Sequence, residues 1–434
     1  EDDESVLEGD DEGCSEMEEE PEFEEDGRNS AGQKKYKKKG DGSDEGAPKL
    51  KRSLQERVNQ AIADGIVALK KMQKDDGQWG AVVGHPYGNR KGKEFAAHFS
   101  GPTSFAVFTL SKCGVKKSDK SVKKGYRWLK KHYRQSQFWN SKGPSTAKSG
   151  RVGGNMGTYE VASLILMLEA MHEQSAKLTG KHSKRPLQTD NPRKPPKGSK
   201  FPKDDWLWLH EAVTVLHNGK LGGRGKQIKG YQNVAGGWRY GQANADQDMS
   251  ATQFALLGMR AASRAGYPLK PRVWKWALDG VKKQLGSDGS FGYKAGMPWS
   301  ASMDACGLGS MVICKEQLEL ANSLPYGWVD GAIERTAKHL DSVFDVQRNK
   351  GDHGGGSYHF YYLYSVERVG DLTGRKEFGG KDWYVRGAEF LLAQQHAGGG
   401  WTDSTCIKPK DVLGTCFALL FLKKATIPAV TLSE

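Results

Sequence analysis

Six ionisable residues stand where helical segments could gather them for chemistry: Glu160, Asp246, Asp248, Asp304, Cys306 and His359. Each lies at or just before the start of a strongly apolar stretch. A carboxyl group desolvated there keeps its proton and can donate it to an alkene or epoxide. Two carboxylates drawn from Glu160, Asp248 and Asp304 could instead act as acid and base on a glycosidic bond. Asp304, Cys306 and His359 carry the donor types of a zinc site with one position left open. Aromatic residues fall at or near the same level, namely Tyr159, Trp238, Trp299, Tyr358 and Tyr362. Their faces could stabilise a carbocation, line an apolar ligand or stack on a sugar ring. Plainer roles compete: an Asp at a helix start is a good N-cap, a small Cys fills a core, and a His is satisfied by a local hydrogen bond.

The elements that must position these residues come from a repeat. A first amphipathic helix ends in a turn of the form Q-x-n-G-x-W, and a more apolar helix follows. Gln73-Lys-Asp-Asp-Gly77-Gln-Trp79 and Gln395-His-Ala-Gly-Gly-Gly-Trp401 are two such turns. Gly236-Gly-Trp238-Arg-Tyr240 and Asp288-Gly289-Ser-Phe291-Gly-Tyr293 are variants. The glycines suit left-handed helix ends. Six units follow, with first helices near 55–72, 118–133, 205–217, 271–285, 329–344 and 382–395. Second helices run near 102–113, 157–172, 249–265, 302–316, 357–370 and 413–425. Stretches such as Val161-Ala-Ser-Leu-Ile-Leu-Met167 are apolar on every side and must be buried on every side. The first helices carry Lys and Arg on one face. An inner and an outer ring, closed on themselves, satisfy both patterns, so the fold class expected is all-α, an (α/α)6 toroid of six outer–inner hairpins.

Charge is divided along the chain. The 434 residues hold 65 Lys and Arg against 52 Asp and Glu, yet residues 1–26 contain 16 acidic side chains and no basic one. An acidic tail therefore precedes a strongly basic body. Residues 1–48 are expected to be disordered, 49–428 to form the toroid, and 429–434 to be a short tail. Residues 177–203 hold nine Lys or Arg and five Pro, which reads as a basic loop insertion. The basic body could meet an anionic surface, but no nucleic-acid-binding signature accompanies it, so no specific nucleic acid is expected. No apolar run is long enough for a membrane-spanning helix. Six scattered cysteines without a CxxC pair read as reduced core thiols. The chain begins at Glu1, as a processed or a truncated chain would, and an exported or periplasmic location is slightly favoured.

The Q-x-n-G-x-W turns and T-x-x-A-L inner helices resemble the prenyltransferase and squalene-oxidase repeats of terpenoid cyclases and protein prenyltransferase β-subunits. The resemblance covers about residues 54–425. Asp248-Met-Ser-Ala-Thr-Gln-Phe-Ala-Leu-Leu-Gly258 and Tyr361-Tyr-Leu-Tyr-Ser-Val-Glu-Arg-Val-Gly370 are closest to bacterial single-toroid members of unassigned function. In cyclases of this kind an Asp-x-Asp-Asp motif supplies the acid. Asp246 and Asp248 match its first two aspartates, and Met249 stands where the third would be. In the prenyltransferases Asp-x-Cys and a later His bind zinc, which implies Asp304, Cys306 and His359 as ligands of a possible Zn. The function expected is binding of an isoprenoid or other apolar small molecule in the central cavity, with a cyclase or transferase step possible. The alternatives are a non-catalytic binding or scaffold toroid and a carboxylate-based glycan-processing enzyme.

Overall fold

A computed structural model of the chain describes residues 52–82, 97–98, 100–132, 157–173, 188–199, 201–219, 236–239, 247–323, 325–351, 358–403 and 409–424. Two compact units divide the chain, residues 1–51 and 52–434, and all described residues lie in the second. The expected disordered tail, the C-terminal tail and residues 177–187 and 200 of the 177–203 insertion lie outside the described residues, as does Asp246.

Twelve helices follow one another among the described residues: α1 (Leu54–Lys71), α2 (Ser100–Lys112), α3 (Lys120–His132), α4 (Thr158–Glu173), α5 (Lys203–Gly219), α6 (Met249–Arg264), α7 (Pro271–Lys282), α8 (Ala301–Leu320), α9 (Val329–Val343), α10 (His359–Thr373), α11 (Trp383–Gln394) and α12 (Lys410–Lys423). Two antiparallel strand pairs are short: β1 (Ala81–Val82) with β2 (Ala97–His98), and β3 (Glu377–Phe378) with β4 (Lys381–Asp382). The even-numbered helices form a ring in which each packs on the next and α12 returns to α2. The odd-numbered helices lie outside it. Burial explains the division. In α3 only Val122, Gly125, Trp128 and Leu129 are buried, one stripe at helical spacing. In α8 16 of 20 residues are buried, so it must have neighbours on all sides. Local signals set the helix starts: Ser53 and Glu56 form a capping box on α1, Pro271 opens α7, and Asp382 caps α11 through Val385 N at 2.8 Å.

The aromatic turns hold each hairpin to the next. The Trp79 indole donates to Leu69 O at 2.7 Å, and its backbone N–H donates to Thr103 Oγ1 at 3.0 Å. Trp238 does the same with Leu216 O (2.8 Å) and Thr252 Oγ1 (3.0 Å), and Trp401 with Leu391 O (2.7 Å) and Thr415 Oγ1 (2.9 Å). Three inner helices, α2, α6 and α12, thus offer a hydroxyl to the preceding turn. The glutamine reaches onward: Gln73 Nε2 donates to Ser121 O at 2.9 Å in α3, and Gln395 Nε2 to Ala61 O at 3.0 Å in α1. That last bond joins the final hairpin to the first helix. Gly399 (φ +83°) lets the turn lie against Asp64 O, where an added Cβ would come within 2.7 Å.

A polar seam ties the second hairpin to the third. Asp205 of α5 accepts from Tyr126 Oη and from Lys130 Nζ (2.9 Å) of α3, and pairs with His172 Nε2 (2.9 Å) of α4. Burial pushes the Asp205 carboxyl up, but the His172, Tyr126 and Lys130 contacts outweigh it and hold it down at about 2. Nearby, the Trp206 indole donates to Pro192 O at 3.0 Å, so part of the Pro-rich insertion is packed onto α5 and is not a free loop.

The ring axis is filled. Phe105 of α2, Phe254 of α6, Tyr361 and Tyr364 of α10 and Phe417 of α12 meet there, with Phe105–Phe417 centroids 5.3 Å apart, Tyr364–Phe417 5.2 Å and Phe254–Tyr361 6.1 Å. None of the five is more than 7% exposed. These are edge and offset contacts of packed aromatic cores. The central cavity expected from the toroid is closed at this level by side chains.

Candidate site at the inner-helix N-termini

Above the aromatic column the first turns of α4, α6, α8 and α10 bring together the polar groups of the axis. Ser250 Oγ donates to Tyr361 Oη at 2.9 Å, and Tyr361 Oη donates to Gln253 Oε1 at 2.9 Å. The Cys306 thiol donates to the same Oε1 at 3.2 Å and lies 3.0 Å from Tyr361 Oη. Ser365 Oγ is 3.8 Å from the sulfur. Tyr159 hydrogen-bonds Ser250 and stacks edge-on against Phe254, centroids 5.1 Å apart. Burial pushes the Cys306 thiol up to about 12 and holds the Tyr159 and Tyr361 phenols well above their usual value. Thiol and phenols therefore stay protonated at neutral pH. Gln253 is 1% exposed, and its Nε2 has no hydrogen-bond partner among the described residues. The cluster offers neutral donors and acceptors beside aromatic rings.

Asp248 lies at the edge of this cluster. Its Oδ1 accepts from Ala251 N at 2.6 Å, which makes it the N-cap of α6. Its Oδ2 is 3.8 Å from Arg239 Nη1, and the Arg239 guanidinium sits 5.8 Å over the Tyr293 ring. The amide can only donate, so Oδ1 acts as an acceptor there, while Oδ2 lies at ion-pair distance from Arg239. Asp248 is 0% exposed.

The three residues with zinc-ligand character do not converge. Asp304 and Cys306 are two apart on α8, which turns their side chains about 200° from each other. Asp304 Oδ1 accepts from Phe291 N at 2.7 Å, the place that Thr103, Thr252 and Thr415 fill in other hairpins, and Oδ2 pairs with His339 Nδ1 at 2.9 Å. Cys306 faces the axis as a protonated thiol. His359 Nε2 donates to Val346 O at 2.9 Å, and burial lowers its affinity for a proton. Among the described residues no three His, Cys, Asp or Glu side chains gather as a metal site requires. The donor set does not fit zinc.

The His339–Asp304 pair holds its proton tightly. The hydrogen bond that His339 donates to Asp304 raises His339, and burial raises Asp304 against the opposing effects of His339 and the Phe291 amide. Both directions favour the protonated pair. The carboxylate that the sequence offered for chemistry is thereby engaged on the α9 side of α8.

The remaining candidates disperse. Glu160 lies against Gly101 of α2, where an added Cβ would come within 3.1 Å of its Cγ. Trp238 is wholly buried as a repeat-turn indole. Trp299 packs edge-on over His339 at 5.0 Å. Tyr362 is wholly buried and stacks on His359 at 6.3 Å. Tyr358 is 46% exposed in a left-handed conformation (φ 56°) at the start of α10. Of the proposed aromatics only Tyr159 joins the axial cluster. Ser250, Gln253, Tyr361 and Ser365 went unnoticed in the sequence, although 250, 253, 257 and 260 on α6, and 361, 364, 365 and 368 on α10, each mark one helix face.

Residues 48–172 match the family model of the squalene-hopene cyclase C-terminal domain. No curated protein matches the chain. Among solved structures, an α-mannanase of the GH76 family from Bacteroides thetaiotaomicron is 9% identical, covers 86% of this chain and 98% of its own, and has a TM-score of 0.52. An inactive α-1,6-mannanase variant from a Salegentibacter species, solved with α-1,6-mannotetrose, is 8% identical with the same coverage and a TM-score of 0.51. The type II terpene cyclase MstE from Scytonema, without ligand, is 11% identical, covers 85% and 98%, and has a TM-score of 0.47. At these identities the mannanase likeness speaks to fold alone. Among the described residues no helix is long and apolar enough to cross a membrane. Among the described residues the chain is an all-α array of six outer–inner helix hairpins, an α/α toroid, and residues 48–172, its first two hairpins, resemble the squalene-hopene cyclase C-terminal domain.

Proposed function

We propose that this toroid binds an apolar ligand of isoprenoid character at the N-terminal end of the inner ring and does not transform it. The observation that carries the reading is the filled axis. Phe105, Phe254, Tyr361, Tyr364 and Phe417 occupy the space in which a long polyene would have to fold for cyclisation. The same rings, with Tyr159 beside them, are an apolar floor for a ligand that enters only part-way. The unpartnered Gln253 Nε2 would meet an oxygen at the ligand's end. The squalene-hopene cyclase pattern over residues 48–172 supports an isoprenoid over other apolar molecules.

In this reading Asp248 serves the fold, its Oδ1 accepting from Ala251 N as the cap of α6 with the Arg239 guanidinium 3.8 Å from Oδ2. Asp246 remains its proposed companion, and Glu160 a candidate neighbour of the ligand. A glycan-processing role has the mannanase fold behind it. It would need Asp304 and Asp248 to face one another across a gap, and each is engaged in contacts of its own hairpin.

Titration calorimetry with geranylgeraniol tests the proposal. The wild-type chain is expected to bind saturably, and Tyr159→Ala to bind about tenfold more weakly through loss of one ring contact. An absence of saturable binding, or equal affinity in the variant, would sink it.

A further inference from the structure

We propose that the outer face of α3 docks the phosphate backbone of duplex DNA, without regard to sequence. Lys120, Lys123, Lys124, Arg127 and Lys131 are all exposed. Helix geometry places them within one arc of about 100°, on the side away from the buried stripe of Val122, Gly125, Trp128 and Leu129. From Lys120 to Lys131 the helix rises about 16 Å. One strand of a DNA duplex carries about one phosphate per 3.4 Å, so about five over that length. Cations in a line thus meet phosphates in a line.

A merely solvated face would mix signs, as the other outer helices do. Among the described outer helices α3 alone contains no Asp or Glu. The carboxylates around it are taken. Asp119 pairs with Lys70 at 2.8 Å and accepts from Ser121 N at 2.9 Å. Asp205 holds Lys130 at 2.9 Å, and Asp204 lies 3.9 Å from the same ammonium. Asp76 accepts from the Trp128 indole at 3.2 Å. Among the described residues none of the stripe cations has an ion-pair partner. Residues 133–159 hold four further Lys or Arg and no Asp or Glu, so the chain that follows α3 brings no carboxylate to it.

The stripe works against the helix that carries it. Lys120 and Lys123 sit at the positive end of the α3 dipole, with no acid in the first turn. Lys120 and Lys124, Lys123 and Arg127, and Arg127 and Lys131 are like-charged pairs four residues apart, which repel. A bound polyanion offsets both effects. Duplex DNA fits better than other polyanions. The exposed large apolar residues among those described are Val67, Tyr358 and Val385. None is on α3, so the apolar area that holds a surface helix in a membrane is missing. An acidic peptide would have to be ordered along the stripe at an entropic cost. A duplex brings its charges at fixed spacing and releases counterions on binding. Lysine ammonium groups are point charges, which suits a backbone and reads no base. The stripe lies outside the ring and does not depend on the apolar site within it.

Fluorescence anisotropy of two short labelled DNA duplexes of unrelated sequence, titrated with the full chain over a salt series, tests the inference. Both duplexes are expected to bind alike, with log Kobs falling against log salt at a slope of about −4.5. Lys123→Gln, Lys124→Gln and Arg127→Gln together should lessen that slope by about three and weaken binding about 100-fold at low salt. The Tm of this variant should not fall, because cations that repel their neighbours are gone. Arg272→Gln, Lys282→Gln and Lys283→Gln together remove exposed cations on and just after α7, and should leave the slope unchanged. An equal change of slope in the two triple variants would overturn the site, since general basicity would then explain the binding. So would an absence of duplex binding, or tighter binding to phosphatidylserine vesicles or to polyglutamate at the same salt.

Discussion

Replacing Gly65 with valine is expected to destabilise the chain by about 3 kcal/mol, at the upper end of what overpacking a core costs. Gly65 is the point at which the last hairpin closes on the first helix. A Cβ there would come within 2.7 Å of Trp401 Cζ3 and 2.8 Å of Leu419 Cδ2. Neither neighbour can yield easily. Trp401 is wholly buried and held by two hydrogen bonds, and Leu419 is wholly buried in α12. Gly125 of α3 seats Trp79 in the same way, 2.7 Å from Cζ3, so the contact belongs to the repeat. Gly331→Ala is the control. It is an exposed helical position with only Arg335 Nη1 at 3.4 Å, and removing a glycine from a helix should add up to about 1 kcal/mol. Denaturant midpoints with unchanged slopes would measure both. A Gly65→Val variant as stable as the parent would mean that the ring is not closed through Trp401.

The second large effect is expected at Arg260. Arg260→Met leaves the Glu316 carboxylate buried, 4% exposed, without the two guanidinium bonds that satisfy it. Breaking a buried pair from one side costs about 3–5 kcal/mol. The double variant Arg260→Met, Glu316→Leu should recover most of that loss, because a well-packed apolar pair replaces the charges without stranding either. If the double variant is no more stable than the single one, the cost came from lost packing of the arginine stem and not from the stranded carboxylate.

The fold was readable because each hairpin repeats one set of physical demands. Helices apolar on all sides must be inner, and those with one buried stripe must be outer. The turn glycines and tryptophans of 73–79 and 395–401 mark where one pair meets the next. The closing of the ring was also implicit, since the Gln395–Trp401 turn needs an outer helix beyond it and only α1 is left.

The site was less readable, for reasons that differ by residue. Asp248 reads the same as a cap and as an acid, and only the positions of Ala251 N and Arg239 separate the two. Asp304 looked like a ligand, yet it stands in for a repeat threonine and is matched by His339, 35 residues away. Its divergence from Cys306 could have been worked out from helix geometry, as two residues turn a helix by about 200°. The filling of the axis could not. Phe105, Phe254, Tyr364 and Phe417 are each ordinary core residues, and only their convergence from four helices shows that they occupy the centre.

The central claim is that the chain holds an isoprenoid without reacting with it. Gas chromatography–mass spectrometry of geranylgeraniol, recovered after prolonged incubation with the purified chain, tests this most directly. The filled axis and the capping role of Asp248 predict that the bound alcohol is recovered open-chain. A cyclised isomer formed by the wild-type chain and absent with Asp248→Asn would contradict the account.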